Sequence, residues 1–146
     1  MFEKTLFAGW GDMDFNAHMR NTAYLDKAGD VRMFFFEEHG FPGAEFARLR
    51  IGPVVRQDEV EYFREIGLLE SFRVTLALAG QSEDGSRFIL RNEFIKGDGR
   101  VAARITSLGG WLDLAERKLT VPPPALLEAM GSLPRTDDFR DLAPKS

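Results

Sequence analysis

Residues 10–32 read WGDMDFNAHMRNTAYLDKAGDVR, and the change of character inside this stretch decides the fold. Its first half is polar, with Gly11, Asp12, Asp14 and Asn16, residue types that bond locally or tolerate tight turns. From Asn21 onward the period becomes helical. Tyr24, Ala28, Val31 and Phe35 recur at spacings of four, three and four, one face of an α-helix. Asn21 is placed to cap that helix, its side-chain oxygen accepting a backbone N–H one turn on. Gly40 and Pro42 supply the stop. Toward its end Met33, Phe34, Phe35 and Phe36 make the helix apolar on more than one side, as expected of a helix wrapped by other structure.

Outward from this stretch the period is two. Phe2 to Trp10 reads as a short, aromatic-rich strand. Downstream, Val60 and Tyr62 alternate with Glu59 and Glu61, and Phe72, Val74, Leu76 and Leu78 alternate with Arg73, Thr75 and Ala77. Phe88, Leu90 and Phe94 share a face, with Ile89, Arg91, Glu93 and Ile95 on the other. EDGS at 83–86 and KGDGR at 96–100 hold the Asp-Gly pairs that favour hairpin reversals. The GDG at 97–99 lacks the following helix and Lys-Ser/Thr of a phosphate loop. A last long strand runs from Val101 to about Trp111, where Gly109-Gly110 marks a bulge or bend. PPP at 122–124 ends the sheet, and Ala125 to Met130 forms a short closing helix. The order predicts an α+β fold, a five-stranded antiparallel sheet around one long central helix, with 1–146 as a single domain. Apolar residues on the sheet's outer face need a further cover, and a second subunit is the usual one.

Composition narrows the function. Net charge is −4 with a pI near 5.2, and Lys and Arg are scattered among acids, so no concentrated basic surface for nucleic acid is expected. The absence of Cys excludes disulfides, thiolate nucleophiles and Cys-ligated metals together. No window has the apolar length of a membrane span, and the first residues do not read as a signal peptide. The expected address is the cytoplasm. Thirteen Phe residues imply a core or pocket built on aromatic surface.

The chemistry-bearing residues gather just ahead of the helix, where Asp12, Asp14, Asn16, His18 and Asn21 fall within ten positions. A helix start presents unpaired N–H groups and a partial positive charge. It can hold an anion or polarise a carbonyl oxygen, and a carboxylate on the preceding loop can act on the same carbonyl carbon. That is a constellation for transferring an acyl group to water. Structural readings compete with it. Asp14 can cap the turn, Asp12 can stabilise the loop, and His18 can hold backbone carbonyls. Asp12, Asp14 and His18 have no second His nearby and no zinc spacing, so no metal is expected.

The same stretch resembles the signature of hotdog thioesterases related to 4-hydroxybenzoyl-CoA thioesterase. The matching residues are Asp12, Asp14, His18, Asn21, Tyr24 and Arg32. The strand order after the helix and the Pro residues after the last strand also agree. The resemblance implies an acyl-CoA thioesterase giving a carboxylic acid and free CoA, with no cofactor beyond the CoA of its substrate. It places the catalytic carboxylate on Asp14, as nucleophile or as general base for water, assisted by His18. The oxyanion donors fall on backbone N–H groups around Asn21 and Thr22. It puts Arg117 and Lys118 where relatives contact CoA phosphates, and it implies a homodimer or homotetramer with sites at subunit interfaces. Two positions depart from the pattern: Ala17 stands for the usual Gly, and Arg20-Asn21 for the common Asn-Asn. Asp26 and Asp30 read as structural, Asp30 being the reserve carboxylate because another hotdog branch carries its acid on the helix. His39 is assigned no function. A hotdog hydratase or dehydratase and a non-catalytic acyl-CoA binding module are the competing functions. The hydratase's His after Asn-Pro and the sensor's output domain are both missing from the sequence.

Overall fold

In the computed structural model, which describes residues 1–144, strands β1 (Phe2–Phe7), β2 (Ile51–Tyr62), β3 (Ser71–Ser82), β4 (Arg87–Lys96) and β5 (Val101–Asp113) form one sheet in the order β1-β3-β4-β5-β2. All neighbours on this path are antiparallel. β3, β4 and β5 follow one another through the two Asp-Gly turns, where Gly85 and Gly99 adopt the positive φ that such turns demand. The order therefore follows the alternation in the sequence.

The long helix α1 spans Asn21–Glu38 and lays Tyr24, Ala28, Val31 and Phe35 into the core together with Ala23 and Phe36. Its end closes as the Gly-Phe pair requires. Gly40 sits at φ +88 and the Phe41 N–H donates to Phe36 O at 2.8 Å, a C-terminal motif that satisfies carbonyls left open by the last turn.

Several expectations are corrected. Asn21 is not the N-cap: it is the first helical residue, and Arg20 occupies the cap without a side-chain capping bond. The cause is a bridge between Met13 and Met19 and a bond from Arg20 N–H to Asp12 O, which hold the chain extended through Arg20. Met33 and Phe34 are exposed rather than wrapped, and the Lys4 ammonium lies over the Phe34 ring. Beyond the five strands, β6 (Lys118–Leu119) pairs with β5, and β7 (Arg135–Leu142) pairs in parallel with β3, giving seven. A second helix, α2 (Gly43–Leu49), precedes β2, while the closing helix α3 (Pro124–Gly131) stands where expected.

α2 serves the core through one side chain. Phe46 stacks on Trp111 at 5.8 Å, and Phe36 and Phe88 meet the same indole at 5.5 and 5.4 Å. This aromatic group joins α1, α2, β4 and β5. Gly109 lets β2 close on β5: an added Cβ would lie 2.1 Å from Val54 O, opposite the register shift between Val55 and Gln57. β2 is largely exposed, and among the described residues its other edge pairs with nothing.

Candidate active site

The segment from Gly9 to Arg20 is a structured loop because its polar side chains bond its own backbone. Asp12 is the anchor. Its Oδ2 accepts the Gly9 N–H at 2.7 Å and lies 2.9 Å from the Lys27 ammonium on α1. Burial alone would raise the Asp12 carboxyl, but Lys27, the Gly9 N–H and Arg20 outweigh it and hold it below the ordinary carboxylate range. Its structural reading stands on these contacts.

Asp14 lies two residues on and is used differently. Its Oδ1 accepts the Asn16 N–H at 2.9 Å, while Asp14 N–H donates to His18 O and Ala17 N–H to Asp14 O. These bonds close a tight turn whose last corner is Ala17 at φ +65, the left-handed value that glycine adopts without strain. The turn thus has a left-handed corner with Ala where the signature usually has Gly. Oδ2 of Asp14 accepts no hydrogen bond from any described residue and stands 3.6 Å from His18 Nδ1. That separation exceeds a hydrogen bond. His18 Nδ1 is 3.1 Å from Met19 O, so the ring holds a backbone carbonyl on that side. The geometry brings His18 beside Asp14 and favours its loop-holding role over proton transfer through Nδ1.

Asp14, His18 and Asn21 share a cleft of about 480 Å³ with Asn16, Met19, Tyr24 and the segment Tyr62-Phe63-Arg64-Glu65. Asn21, the first residue of α1, lines the cleft with Asp14, at the end of the helix whose N–H groups have no intrahelical acceptors. Tyr62 fixes the wall, its hydroxyl donating to Asn21 O at 3.1 Å. Sequence reading missed the 62–65 segment. The available signal was the adjacent pair Tyr62-Phe63, where strict alternation stops.

Other expected residues fall elsewhere. Asp26 and Asp30 are exposed on α1 outside the cleft, Asp26 near Arg20. His39 bonds Phe35 O and packs on the Phe35 ring. Arg32 lies deep between helix and sheet. It donates to Asn92 Oδ1 at 2.8 and 3.1 Å and to Ser107 Oγ at 2.6 Å, and Ser107 in turn bonds Asp58 of β2. Burial pushes its guanidinium below the ordinary value, and Asp58 opposes that. Arg117 and Lys118 sit past the far end of β5. Ala103 of β5 pairs with Tyr62 and Asp113 with Ile51, so at about 3.3 Å per residue they stand roughly 30 Å from the cleft of their own chain. Among the described residues no group of three or more acidic or His side chains is arranged to hold a metal ion.

The family model described as the thioesterase-like superfamily matches residues 8–130. The chain belongs to that superfamily. The fold is that of hotdog thioesterases. No curated protein sequence matches the chain. Among solved structures, a hypothetical Staphylococcus aureus protein in complex with CoA superposes with a TM-score of 0.81 at 23% identity, over 91% of this chain and 85% of that one. A 1,4-dihydroxy-2-naphthoyl-CoA thioesterase from Synechocystis gives 0.80 at 14% identity, over 90% and 96%. The gentisyl-coenzyme A thioesterase BH1999 gives 0.76 at 19%, over 85% and 98%. At these identities the likeness is one of fold. No helix of the described residues is long and apolar enough to cross a membrane.

Proposed function

We propose that this protein hydrolyses an acyl-CoA thioester to a carboxylic acid and free CoA. One observation carries the reading: the Asp14 carboxylate, with one oxygen tied to Asn16 and the other beside His18 without a hydrogen bond, shares a cleft with the opening turn of α1. The thioester oxygen accepts from N–H groups at Asn21 and Thr22, where the helix's partial positive charge meets the charge that develops on it. Asp14 Oδ2 then either attacks the carbonyl carbon, forming an anhydride that water opens, or takes the proton of an attacking water. In both courses the carbon–sulfur bond breaks and the thiol leaves as CoA.

A second copy completes the site in this reading. β2 offers twelve residues of open edge, and antiparallel pairing of β2 with its own copy carries the Ile51 end of one chain past the Tyr62 end of the other. Arg117 and Lys118 of each chain then approach the other chain's cleft, which supports a phosphate-contacting role across the interface. The protein acts as such an oligomer in the cytoplasm.

The test is thiol release from acetyl-, octanoyl-, palmitoyl- and benzoyl-CoA, wild type beside Asp14→Asn. Turnover that falls a hundredfold or more in the variant, about the loss of an acid-base or nucleophilic group, supports the reading. Wild-type binding without thiol release points to a sensor, and a change in enoyl absorbance to a hydratase.

A further inference from the structure

The cleft is lined by one polar side chain that the reaction as derived leaves unused, Tyr24 with its hydroxyl. The ring is only 3% exposed. It stands edge-on to Tyr62 at 5.2 Å and tilted on Phe94 at 5.0 Å, and Tyr62 is itself tied to Asn21 O. The ring is thus packed on two sides. Its residue lines the cleft with Asp14, and no described residue accepts a hydrogen bond from its hydroxyl. Helical side chains lean toward the N-terminus of their helix, so a long side chain at 24 covers the turn that begins at Asn21. A hydroxyl at the cleft with no acceptor among the described residues is free to give its hydrogen bond to a ligand that enters there.

We propose that the Tyr24 hydroxyl donates to the thioester oxygen of the substrate, joining the N–H groups at the start of α1 as a third donor and so acting as a catalytic residue. The inference rests on the thioesterase reading above. The protonation state fits a donor that never lets go of its proton. Burial, with Tyr62, Glu70, Glu65 and Asp14 adding to it, pushes the phenol up to about 12. At neutral pH it is neither a base nor a useful acid. Its part is to meet the negative charge that grows on the oxygen as the tetrahedral centre forms, and no bond of Tyr24 breaks.

Tyr24→Phe removes the hydroxyl and keeps the ring between Tyr62 and Phe94. With the four acyl-CoAs above, kcat is expected to fall about tenfold to a hundredfold, at or below the loss of one oxyanion donor, with KM and melting temperature nearly unchanged. A second readout is independent of turnover. The substrate bound to Asp14→Asn is expected to show a lowered carbonyl stretch in isotope-edited infrared spectra, and adding Tyr24→Phe should return it part of the way. Unchanged kcat in an active enzyme overturns the donor and leaves the thioesterase standing. A fall in kcat with an unmoved carbonyl band also overturns it, since the hydroxyl then acts on another group. A wild type inert toward all four thioesters removes the reaction, and this donor with it.

Discussion

The two ends of α1 differ in what they leave unfinished. The C-terminal end is closed by the chain itself: Gly40 turns it, Phe41 N–H closes on Phe36 O, and Phe36 packs into the cluster of Phe46, Phe88 and Trp111. At the N-terminal end Asp14 Oδ2 and the Tyr24 hydroxyl make no hydrogen bond to any described residue, and the side chain of the cap residue Arg20 bonds Gly11 O and Thr22 Oγ1 rather than capping the helix. One end of the helix holds the fold, and the other is the end that the proposed reaction uses. Substitutions at the two ends should therefore separate stability from activity.

The sharpest break is expected at the closed end. Trp111→Ala leaves a large void among three Phe rings and should cost about 3–5 kcal/mol, read by chemical denaturation, with any activity lost only as the protein unfolds. Next is Asp14→Asn at the open end. A hundredfold or greater loss of turnover should come with a denaturation midpoint close to wild type. A large loss of stability there would show that Asp14 serves the loop rather than the reaction. Gly40→Ala probes the closing motif more gently. Ala at a positive φ should cost about 1 kcal/mol and leave the kinetic constants in place.

The smallest effect is a pH dependence that sharpens the contrast between Asp12 and Asp14. The Asp12 carboxyl is held below its ordinary value, so its contribution is present above about pH 4. It is lost as pH falls through the lowered folded value. The stability difference between wild type and Asp12→Asn should be constant from neutral pH down to about pH 4 and shrink below it. A difference that stays flat into stronger acid would remove the Lys27 pairing from the account.

Much of this was legible in residues 10–32 because the information there is local. The helical face of Tyr24, Ala28, Val31 and Phe35 needs only a period, and the turn around Asp14 needs only residues that bond their own backbone. What was not legible depends on distant partners. α2 is seven residues with a single buried side chain, Phe46, too short to show a period. β7 reads RTDDFRDL, with little alternation, because its place comes from backbone pairing with β3. Phe34 looks like core in a run of three Phe residues, yet it faces outward since the face is set by Phe35 and Phe36. The cleft wall at Tyr62 to Glu65 is brought to Asn21 only by the closure of the sheet. Arg32 belongs to the signature, but its partners Asn92, Ser107 and Asp58 lie on three strands that no spacing could connect to it.

One edge of β3 is divided between the first and last strands, β1 against Ser71–Leu76 and β7 against Leu78–Ser82. Both pairings join residues far apart in sequence, whereas β3, β4 and β5 meet their neighbours through short turns. Loop closure is slower and more costly in entropy for the distant pairs. The β3–β4–β5 meander is therefore expected to assemble early, and the two outer strands to be the last to dock and the first to let go. In native-state hydrogen exchange, the amides of β1 and β7 should open at lower free energy than those of β4, so that the seam where the two strands meet on β3 is the point at which unfolding starts.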